Sequence, residues 1–286
     1  MWSYKQQVIV LRQIVNMEEY FNGQKLYGDD FNSDQITQWY KEEEEGYSKL
    51  DSRELILLDQ DIYLYEHINR VHGYQYLEKN RTYKNVLGIG SATGHEFLPI
   101  LDKIENLYIL EPSDKLKGQK IKDKTITYIK PQINGDIVFE DGFFDLVTCF
   151  GVLHHIPNVS HVLKEIHRTM RKDGILLLRE PIVSMGDWRQ PRYALTKNER
   201  GLPESFLNEQ LKRFEFDVIS RKYCFTLSTL FSRLTQNILS KPIYAYKPYV
   251  YFDKVLSSVF RNNVKYHTEN KFRRLFPQSV YFVLKK

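Results

Sequence analysis

Cysteine is scarce in this sequence, and both cysteines lie within apolar stretches. Cys149 and Cys224 are the only two among 286 residues, and neither has a metal-ligand spacing partner. Disulfide frameworks and cysteine zinc sites need several cysteines at short spacings, so we expect neither a disulfide nor a bound metal. We therefore expect the protein to reside in the reducing cytoplasm.

Long apolar runs are also lacking. No stretch approaches the roughly 20 apolar residues that a membrane-spanning helix requires. The N-terminal stretch MWSYKQQVIVLRQIVNMEEYF has no small-residue cleavage site, so it does not predict a signal peptide. Hydrophobic residues make up 42% and charged residues 27% of the chain, which is typical of a globular protein and excludes disordered and coiled-coil classes.

Acidic residues are nearly absent from the last 66 positions. Residues 221–286 contain 13 Lys and Arg against 2 Asp and Glu, whereas residues 1–220 contain 28 against 34. The net charge of +5 therefore arises at the C-terminal end. This basic, tyrosine-rich segment admits three interpretations: a lid over an acceptor pocket, a surface that contacts anionic lipid, or a patch that binds nucleic-acid phosphates.

Short apolar runs alternate with amphipathic segments through the middle of the chain, the pattern of repeated βα units. The predicted fold class is α/β, with a Rossmann-like, seven-stranded, mostly parallel sheet and helices on both faces. The predicted strands are 84–90, 106–111, 125–129, 144–150, 174–180, 216–225 and 279–286. Helices are predicted at 160–172, with Ser160 as N-cap, and at 203–214, with Pro203 in the first turn.

Three parts are predicted along the chain. Residues 1–83 form a helical N-terminal cap, residues 84–225 and 279–286 form the core, and residues 226–278 form a basic aromatic insertion on the acceptor side. Within the cap, the run KEEEE at 41–45 indicates a solvated helix face. Within the insertion, leucines, isoleucine and phenylalanine at helical spacing over 227–239 indicate an amphipathic helix.

A glycine-rich turn follows the first predicted strand in the sequence VLGIGSATG (86–94). Glycines permit a ligand to approach the backbone, and the start of a helix favours negative ligand groups. Thr93 stands where dinucleotide-binding loops carry a third glycine, which weakens a pyrophosphate interpretation. Glu111 lies 21 residues after Gly90, where a carboxylate could accept two hydrogen bonds from a ribose. Together these features favour an adenosine-type ligand.

Four motifs, in the same order along the chain, resemble those of the class I S-adenosylmethionine-dependent methyltransferases. VLGIGSATG is similar to their first motif, and the strand that ends in ILE with Glu111 is similar to the one that carries their ribose-binding acid. FEDGFFDLVTCFGVLHHIPN (139–158) resembles the motif around their fourth strand, and LKEIHRTMRKDGILLLREP (163–181) resembles the following helix and strand. The resemblance covers 84–225 and the last strand, and implies S-adenosyl-L-methionine as cofactor.

The sequence departs from the family pattern at two positions. Family members usually carry an acid, which helps to hold the methionine amino group, where this chain has Gly88; Glu96 is a candidate substitute. Ala92 replaces a frequent glycine. The resemblance implies cofactor contacts for Gly88, Gly90, Ser91, Gly94, Glu111, Gln132, Ile133, Asn134, Cys149, Phe150 and Gly151.

Methyl transfer is an in-line displacement, and a hydroxyl acceptor benefits from a general base. His154 and His155 directly follow the predicted cofactor floor, so either is a candidate base; the alternative is that one of them stabilises the loop. Asp187, in the long polar loop after the fifth strand, is a third catalytic candidate. That region also supplies the candidate acceptor-binding residues Arg189, Arg192, Arg200 and Glu180, since guanidinium groups suit carboxylates and phosphates. The alternative is that these arginines pair with local acids.

The sequence therefore favours O-methylation of a sugar-like, glycan-like or other small anionic acceptor, which could be phosphorylated or lipid-linked. REPIVSMGDW, with ERGLP further on, resembles methyltransferases of bacterial cell-surface polysaccharide assembly. This places the chain in the cytoplasm, with peripheral contact at the inner face of the membrane. The alternatives are a nucleic-acid methyltransferase, disfavoured because GVLHH replaces the Asp/Asn-Pro-Pro-aromatic run, and an inactive cofactor-binding scaffold. The oligomeric state is left open.

Overall fold

Parallel strands dominate a single sheet of eight strands in the computed structural model. The structure describes residues 17–49, 63–114, 117–118, 120–188, 190, 192, 195–268 and 275–286. The strands are β1 (Tyr83–Ile89), β2 (Ile104–Leu110), β3 (Lys120–Ile121), β4 (Lys124–Ile129), β5 (Phe144–Phe150), β6 (Met170–Pro181), β7 (Asp217–Cys224) and β8 (Ser279–Lys285).

The strand order is β3-β4-β2-β1-β5-β6-β8-β7. Strands β4, β2, β1, β5 and β6 are parallel, whereas β8 runs antiparallel to both β6 and β7. The chain leaves β1 toward β2 and later returns beside β1 as β5, so the order reverses between these two strands. Ligands of open α/β sheets bind at the carboxyl ends of the strands at such a reversal.

The predicted α/β class is confirmed, but the strand count of seven is wrong by one. The extra strand β3 has only two residues and pairs antiparallel with β4. An element this short has no periodicity that a sequence pattern could reveal. β5 is buried along its whole length, as expected for a central strand covered on both faces.

The α-helices that lie wholly within the described residues are α1 (Ser33–Lys49), α2 (Glu66–His72), α3 (Val159–Thr169), α4 (Glu204–Arg213), α5 (Ser228–Thr235) and α6 (Lys247–Phe260), and a nine-residue 3₁₀ helix lies at His95–Lys103. Two predicted caps are wrong. The N-cap of helix α3 is Asn158, so Ser160 is already the second residue of the helix. The helix ends at Thr169, and β6 begins directly after it. Pro203 is the N-cap of α4 rather than a residue of its first turn.

Two apolar clusters hold the layers together. One joins the side of the sheet that carries Leu87 and Val147 to α3 and α4, and the other joins the side that carries Val86 and Leu146 to the 3₁₀ helix, α2 and α6. Each fully buried Leu or Ile in these clusters contributes about 1.5–3 kcal/mol. Among the described residues no helix is both long and apolar enough to cross a bilayer.

The three-part division of the chain stays a prediction. Helices α1 and α2 lie within the predicted cap, and α5 and α6 lie within the predicted insertion. Residues 1–16 and 50–62 of the cap, and 269–274 of the insertion, lie outside the described residues.

Candidate functional site

The glycine loop after β1 lies at the carboxyl edge of the sheet. Gly90 and Gly94 have φ values of +60° and +78°, in the left-handed region that favours glycine. The Gly90 N–H donates to the Leu110 carbonyl at the end of β2 (2.8 Å). A Cβ on Gly90 would lie 2.7 Å from a methyl group of Val152, so only glycine fits here without a shift of Val152.

The Glu111 carboxylate is tied to this loop. It accepts hydrogen bonds from the backbone N–H groups of Ala92 (3.1 Å) and Ser113 (2.9 Å). Burial raises the pKa of Glu111, and these two hydrogen bonds oppose that shift. The Tyr128 hydroxyl donates to the Ala92 carbonyl (2.9 Å) and so fixes the same loop from β4. The predicted ribose acid and the predicted glycine loop are therefore neighbours.

The segment that follows β4 has an exposed apolar side chain. Gln132, Ile133 and Asn134 are all exposed, and 56% of the Ile133 surface remains accessible. The Asn134 carbonyl accepts a hydrogen bond from the Asn158 side chain (2.7 Å), which fixes the segment against the start of α3. The apolar side chain of an exposed Ile at this edge suits the flat face of a nucleobase.

The three residues predicted to form the cofactor floor lie at the end of β5. Cys149 is fully buried, and burial strongly raises the pKa of its thiol, so it is a packing group. Phe150 is also buried, and its ring contacts Tyr74 and Tyr281. The Gly151 N–H donates to the Arg179 carbonyl (2.7 Å) with φ +72° at Gly151, and the chain turns away from the sheet there.

Glu96 lies beside the position of the missing acid. Its carboxylate accepts hydrogen bonds from the hydroxyls of Ser91 (2.9 Å) and Thr148, the residue that pairs with Gly88 across β1 and β5. Burial raises the pKa of Glu96 to about 7. A Cβ on Gly88 would lie 2.3 Å from Ser91 Oγ, the hydroxyl that donates to Glu96, and 2.9 Å from the Phe97 ring, so a side chain at residue 88 would require these neighbours to shift.

His154 is held between two glutamates. Its Nδ1 lies 2.9 Å from Glu180 Oε2, and its Nε2 lies 3.6 Å from Glu199 Oε1. Glu180 is fully buried at the end of β6 and also accepts the N–H groups of Val152 and Leu153. Burial lowers the pKa of His154, but the hydrogen bond to Glu180 and the nearby Glu199 carboxylate outweigh burial and raise this pKa to about 9.

His155 has a different environment. Its Nδ1 lies 3.0 Å from Glu43 Oε2, and its carbonyl accepts a hydrogen bond from the Trp39 indole (2.8 Å). Burial and the neighbouring His154 lower the pKa of His155, although Glu43 opposes the shift. Its imidazole is therefore neutral at pH 7 and has its ring orientation fixed by a carboxylate.

The prediction that KEEEE is a solvated helix face is wrong for Glu43. This residue is 4% exposed, and its carboxylate also accepts a hydrogen bond from the Thr196 hydroxyl (2.8 Å). Glu42 binds Lys197 and the Asn198 side chain (2.8 Å). Helix α1 thus faces the 196–199 segment with two of its four glutamates.

His154, His155 and Glu199 also offer three ligand atoms within 4.8 Å of one another. Their spacing along the sequence did not indicate this group. Imidazole and carboxylate are suitable ligands for divalent transition metals. An imidazole with a pKa of about 9 and a glutamate at each nitrogen is protonated at pH 7, so a metal ion would bind to His154 only by displacing that proton.

The polar loop after β6 brings together some of the predicted acceptor-binding residues. Asp187 is half-buried and acts electrostatically on Arg192, whose pKa is lowered chiefly by burial. Arg192 donates to the carbonyls of Met185 and Thr196, while its Nε is buried without a hydrogen-bond partner among the described residues. Arg189 lies outside the described residues.

Arg200 is buried among backbone carbonyls rather than facing an open cavity. Its guanidinium donates to the Tyr27 carbonyl (2.8 Å) and to four carbonyls of the loop 153–157. It also lies 4.9 Å from the Trp39 ring, and burial lowers its pKa to about 10. These contacts assign Arg200 to holding the loop 153–157, which we call the histidine loop. The sequence had predicted either an acceptor contact or an ion pair with a local acid for Arg200, and these contacts are neither.

Sequence patterns did not reveal the partners of the histidines. Glu43 and His155 are separated by 112 positions and Glu180 and His154 by 26, and no motif spacing links either pair. The sequence did contain one signal for Glu43. Four consecutive residues cover a full turn of a helix, so a helix that packs on the protein must direct at least one of these four glutamates toward it.

Comparison with known proteins gives one family match and two curated relatives. A family described as methyltransferase domain matches residues 64–221, more than half of the chain. A tRNA U34 carboxymethyltransferase of Desulforapulum autotrophicum is 27% identical over 150 residues, which are 49% of this chain and 46% of that protein. The chain thus spans less than half the length of this relative. An uncharacterised protein of Methanocaldococcus jannaschii is 29% identical over 182 residues, 62% of this chain and 73% of that protein.

Solved structures share the fold. One is a chain of the complex between the Haloferax volcanii Trm112 methyltransferase activator and a methyltransferase, with a TM-score of 0.53, 12% identity and coverage of 82% of this chain and 94% of that one. Another is a SAM-dependent methyltransferase from Archaeoglobus fulgidus, with a TM-score of 0.50, 15% identity and coverage of 82% and 100%.

Proposed function

Because the chain belongs to the methyltransferase domain family and takes S-adenosyl-L-methionine as its cofactor, we propose that it methylates a hydroxyl oxygen. The acceptor we propose is a sugar, a glycan or another small anionic molecule. The cofactor supplies an electrophilic methyl group, so the protein has to align the acceptor oxygen and accept its proton.

The groups at the carboxyl edge suit this cofactor by their chemistry. Glu111 offers a carboxylate for a ribose diol, the 90–94 turn offers backbone near the methionine part, and Ile133 offers an apolar surface for adenine. Glu96 supplies a buried carboxyl group next to Ser91, where the family carries its acid at the position of Gly88. We propose that Glu96 takes over the role of that acid.

The Glu43–His155 pair is the observation that carries the proposal of an oxygen acceptor. A carboxylate that binds Nδ1 of a neutral imidazole holds the tautomer with its proton on Nδ1. The atom that would take the acceptor proton is then Nε2, on the opposite side of the ring from Glu43. A pKa below the ordinary value keeps His155 unprotonated at pH 7. His154 is protonated between two glutamates, so we assign it to stabilising the loop.

The Arg192 side chain supports an anionic acceptor. The Arg192 guanidinium donates to carbonyls, and its buried Nε has no hydrogen-bond partner among the described residues, so it can bind an additional acceptor oxygen. Asp187 lies close enough to act on Arg192 and could orient it. A phosphorylated or lipid-linked sugar has the oxygen atoms that this group requires, and such a substrate would place the enzyme in the cytoplasm at the inner face of the membrane.

The test compares His155→Asn and Glu43→Gln with Glu44→Gln, a matched control on the exposed side of α1. We expect His155→Asn to lower the rate of methyl transfer to nucleotide-linked sugars about 10²–10⁴-fold, the usual contribution of a general base. Cofactor affinity, measured by calorimetry, should not change. Retention of full activity by His155→Asn would contradict the proposal.

The role of Glu43 has a readout that needs no acceptor. Burial and His154 lower the pKa of His155 and Glu43 raises it, so removal of the Glu43 charge should lower this pKa further. Histidine NMR titration should show this additional shift in Glu43→Gln and none in Glu44→Gln. If His155 titrates identically in both variants, Glu43 does not position it.

A nucleic-acid acceptor is the second candidate, favoured by the similarity to a tRNA-modifying enzyme and by the basic C-terminal segment. Retention on heparin at moderate salt, together with methylation of transfer RNA and none of sugars, would favour it. Failure to turn over S-adenosylmethionine with either class of acceptor would instead favour an inactive binding protein.

A further inference from the structure

Exposed apolar side chains concentrate on one part of this molecule. Eleven large apolar side chains are exposed among the described residues, and seven of them lie on α5, the turn after it and α6. Exposed apolar residues scattered singly are normal on a protein surface, whereas a concentration of them marks a binding surface. The seven are Leu230, Leu234, Ile238, Tyr251, Phe252, Val255 and Val259, and we call them the α5–α6 surface.

The spacing of these residues shows that each helix presents an exposed apolar row. Tyr251, Val255 and Val259 recur every four residues on α6, as do Leu230, Leu234 and Ile238 on and after α5. The opposite side of α6 is buried through Tyr249, Val250, Asp253 and Ser257. Packing against the fold therefore does not account for the exposed rows.

The two helices contact each other next to these rows. The ring centroid of Phe231 on α5 lies 6.1 Å from that of Phe252 and 6.0 Å from that of Tyr249, both on α6. Phe252 is itself half exposed, so the contact joins the exposed side of α6 to α5. Ile238 is the most exposed of the set at 82%, and Leu234 and Val255 are both at 66%.

The charge around the α5–α6 surface is of one sign. Residues 221–268 contain eight Lys and Arg and a single acidic residue, Asp253. Asp253 is buried and accepts the backbone N–H groups of Phe225 and Thr226, so it does not offset the surface charge. Arg233, Lys247 and Arg261 are exposed within the same segment.

A cavity of about 340 Å³ between β7 and α6 extends the positive charge. Four cationic side chains line it together with Tyr223, Ser258 and Asn262, and no acidic side chain does; the four are Arg221, Lys222, Lys254 and Arg261. Arg221 also contacts Glu204 (3.3 Å), which lies outside this lining. The cavity therefore offers several cations to a negatively charged group.

We propose that the α5–α6 surface docks on an anionic phospholipid bilayer. Amphipathic helices with apolar and cationic residues lie in the interface of such membranes, with the apolar row among the acyl chains and the cations at the head groups. A nucleic acid would neutralise the cations but leave Leu234, Ile238 and Val255 in water. A second copy of this chain would cover the apolar rows but bring together surfaces of like charge. The anionic bilayer satisfies both features.

Vesicle binding of the full chain tests the proposal. The protein should cosediment with vesicles of phosphatidylglycerol at least about ten times more strongly than with vesicles of phosphatidylcholine, because several cations act together. Binding to phosphatidylglycerol should weaken as salt is added. Equal binding to both lipids, or binding to neither, would overturn the proposal.

Two exposed valines provide a matched pair of variants. Val255→Glu should weaken binding to phosphatidylglycerol about ten-fold or more, since it places a charge in the apolar row. Val138→Glu makes the same change at a residue that is 65% exposed and lies outside α5 and α6, so it should bind as the wild type does. If both variants lose the same affinity, the α5–α6 surface is not the docking site.

Charge and assembly state complete the test. Lys247→Glu combined with Arg261→Glu should reduce binding to phosphatidylglycerol by about ten-fold or more.

The molar mass in solution, measured by light scattering, should be that of one 34.2 kDa chain. A dimer that Val255→Glu dissociates, with no vesicle binding, would show that a second copy covers the surface. Retention on DNA without vesicle binding would also overturn the proposal. The inference does not depend on the acceptor that the enzyme methylates.

Discussion

Two adjacent histidines have opposite pKa shifts in this protein. Both are taken out of water, which lowers a histidine pKa, but His154 has a carboxylate at each ring nitrogen and His155 has one carboxylate and a charged neighbour. The pKa of His154 is about 9, while that of His155 is below its ordinary value. Residue type alone would assign the same chemistry to both.

The raised pKa of His154 predicts that stability falls with pH. A folded-state pKa of about 9 against an unfolded value of 6.5 contributes stability that is fully present below pH 6.5 and is lost as pH rises through 9. Its size is about 3 kcal/mol. We expect urea unfolding of the wild type to show this decline relative to His154→Gln, so that the gap between the two narrows as pH rises. A gap that is independent of pH would contradict the assignment.

The position of Glu111 predicts a loss of cofactor affinity on its removal. Glu111→Ala deletes the carboxylate that faces the proposed ribose site and leaves the N–H groups of Ala92 and Ser113 without their acceptor. We expect S-adenosylmethionine to bind about ten-fold to a hundred-fold more weakly, because a diol held by a charged acceptor loses both hydrogen bonds. Calorimetry measures this, with the exposed Glu140→Ala as control. An unchanged affinity would remove Glu111 from the site.

At the scale of elements, the turn from β1 into the 3₁₀ helix differs from the pattern of its family. Glu96, at the second position of the 3₁₀ helix, has its carboxyl group bound to Thr148 and to Ser91, whose side chain lies beside Gly88. The acid and the glycine are therefore coupled through Ser91, because the Ser91 hydroxyl that donates to Glu96 lies where a Cβ at residue 88 would be. The sequence offered Glu96 as a candidate substitute for the acid, but it did not reveal the contacts of Glu96, because the two positions are eight residues apart and on different elements.

This coupling predicts that even one methyl group at residue 88 destabilises the fold. Gly88→Ala would place its Cβ 2.3 Å from Ser91 Oγ and 2.9 Å from the Phe97 ring, so we expect a loss of about 1–3 kcal/mol from overpacking. Gly118→Ala is the control, because among the described residues its Cβ would meet nothing nearer than 3.7 Å. Chemical denaturation measures both, and equal stability of the two variants would show that the turn can relax.

At the scale of the whole molecule, the histidine loop is held from several distant parts of the chain. The Trp39 indole binds it from α1, Glu180 binds it from β6, and Arg200 joins it to Tyr27. The site is therefore complete only when the segments before the sheet pack onto the loops after β5 and β6. A long-range arrangement of this kind makes the site sensitive to residues that contact no ligand.

Replacement of Arg200 tests this arrangement. Arg200→Lys retains the charge but not the planar set of donors that reaches Tyr27 and the loop 153–157 together. We expect a loss of about 2–4 kcal/mol, since buried carbonyls lose their donors. Denaturation of the exposed Arg213→Lys provides the comparison. A loss no larger than that of the control would mean that the loop is stable without Arg200.

The sequence by itself determined the α/β class, the location of seven strands and the adjacency of the glycine loop and Glu111. These features are local: strands buried on both faces must be apolar runs, and the carboxyl ends of parallel strands meet at one edge. Only the tertiary structure decided that Glu43 binds His155, that two glutamates hold His154 and that Arg200 binds carbonyls. Those contacts join residues far apart in the chain, and side-chain packing rather than periodicity brings them together.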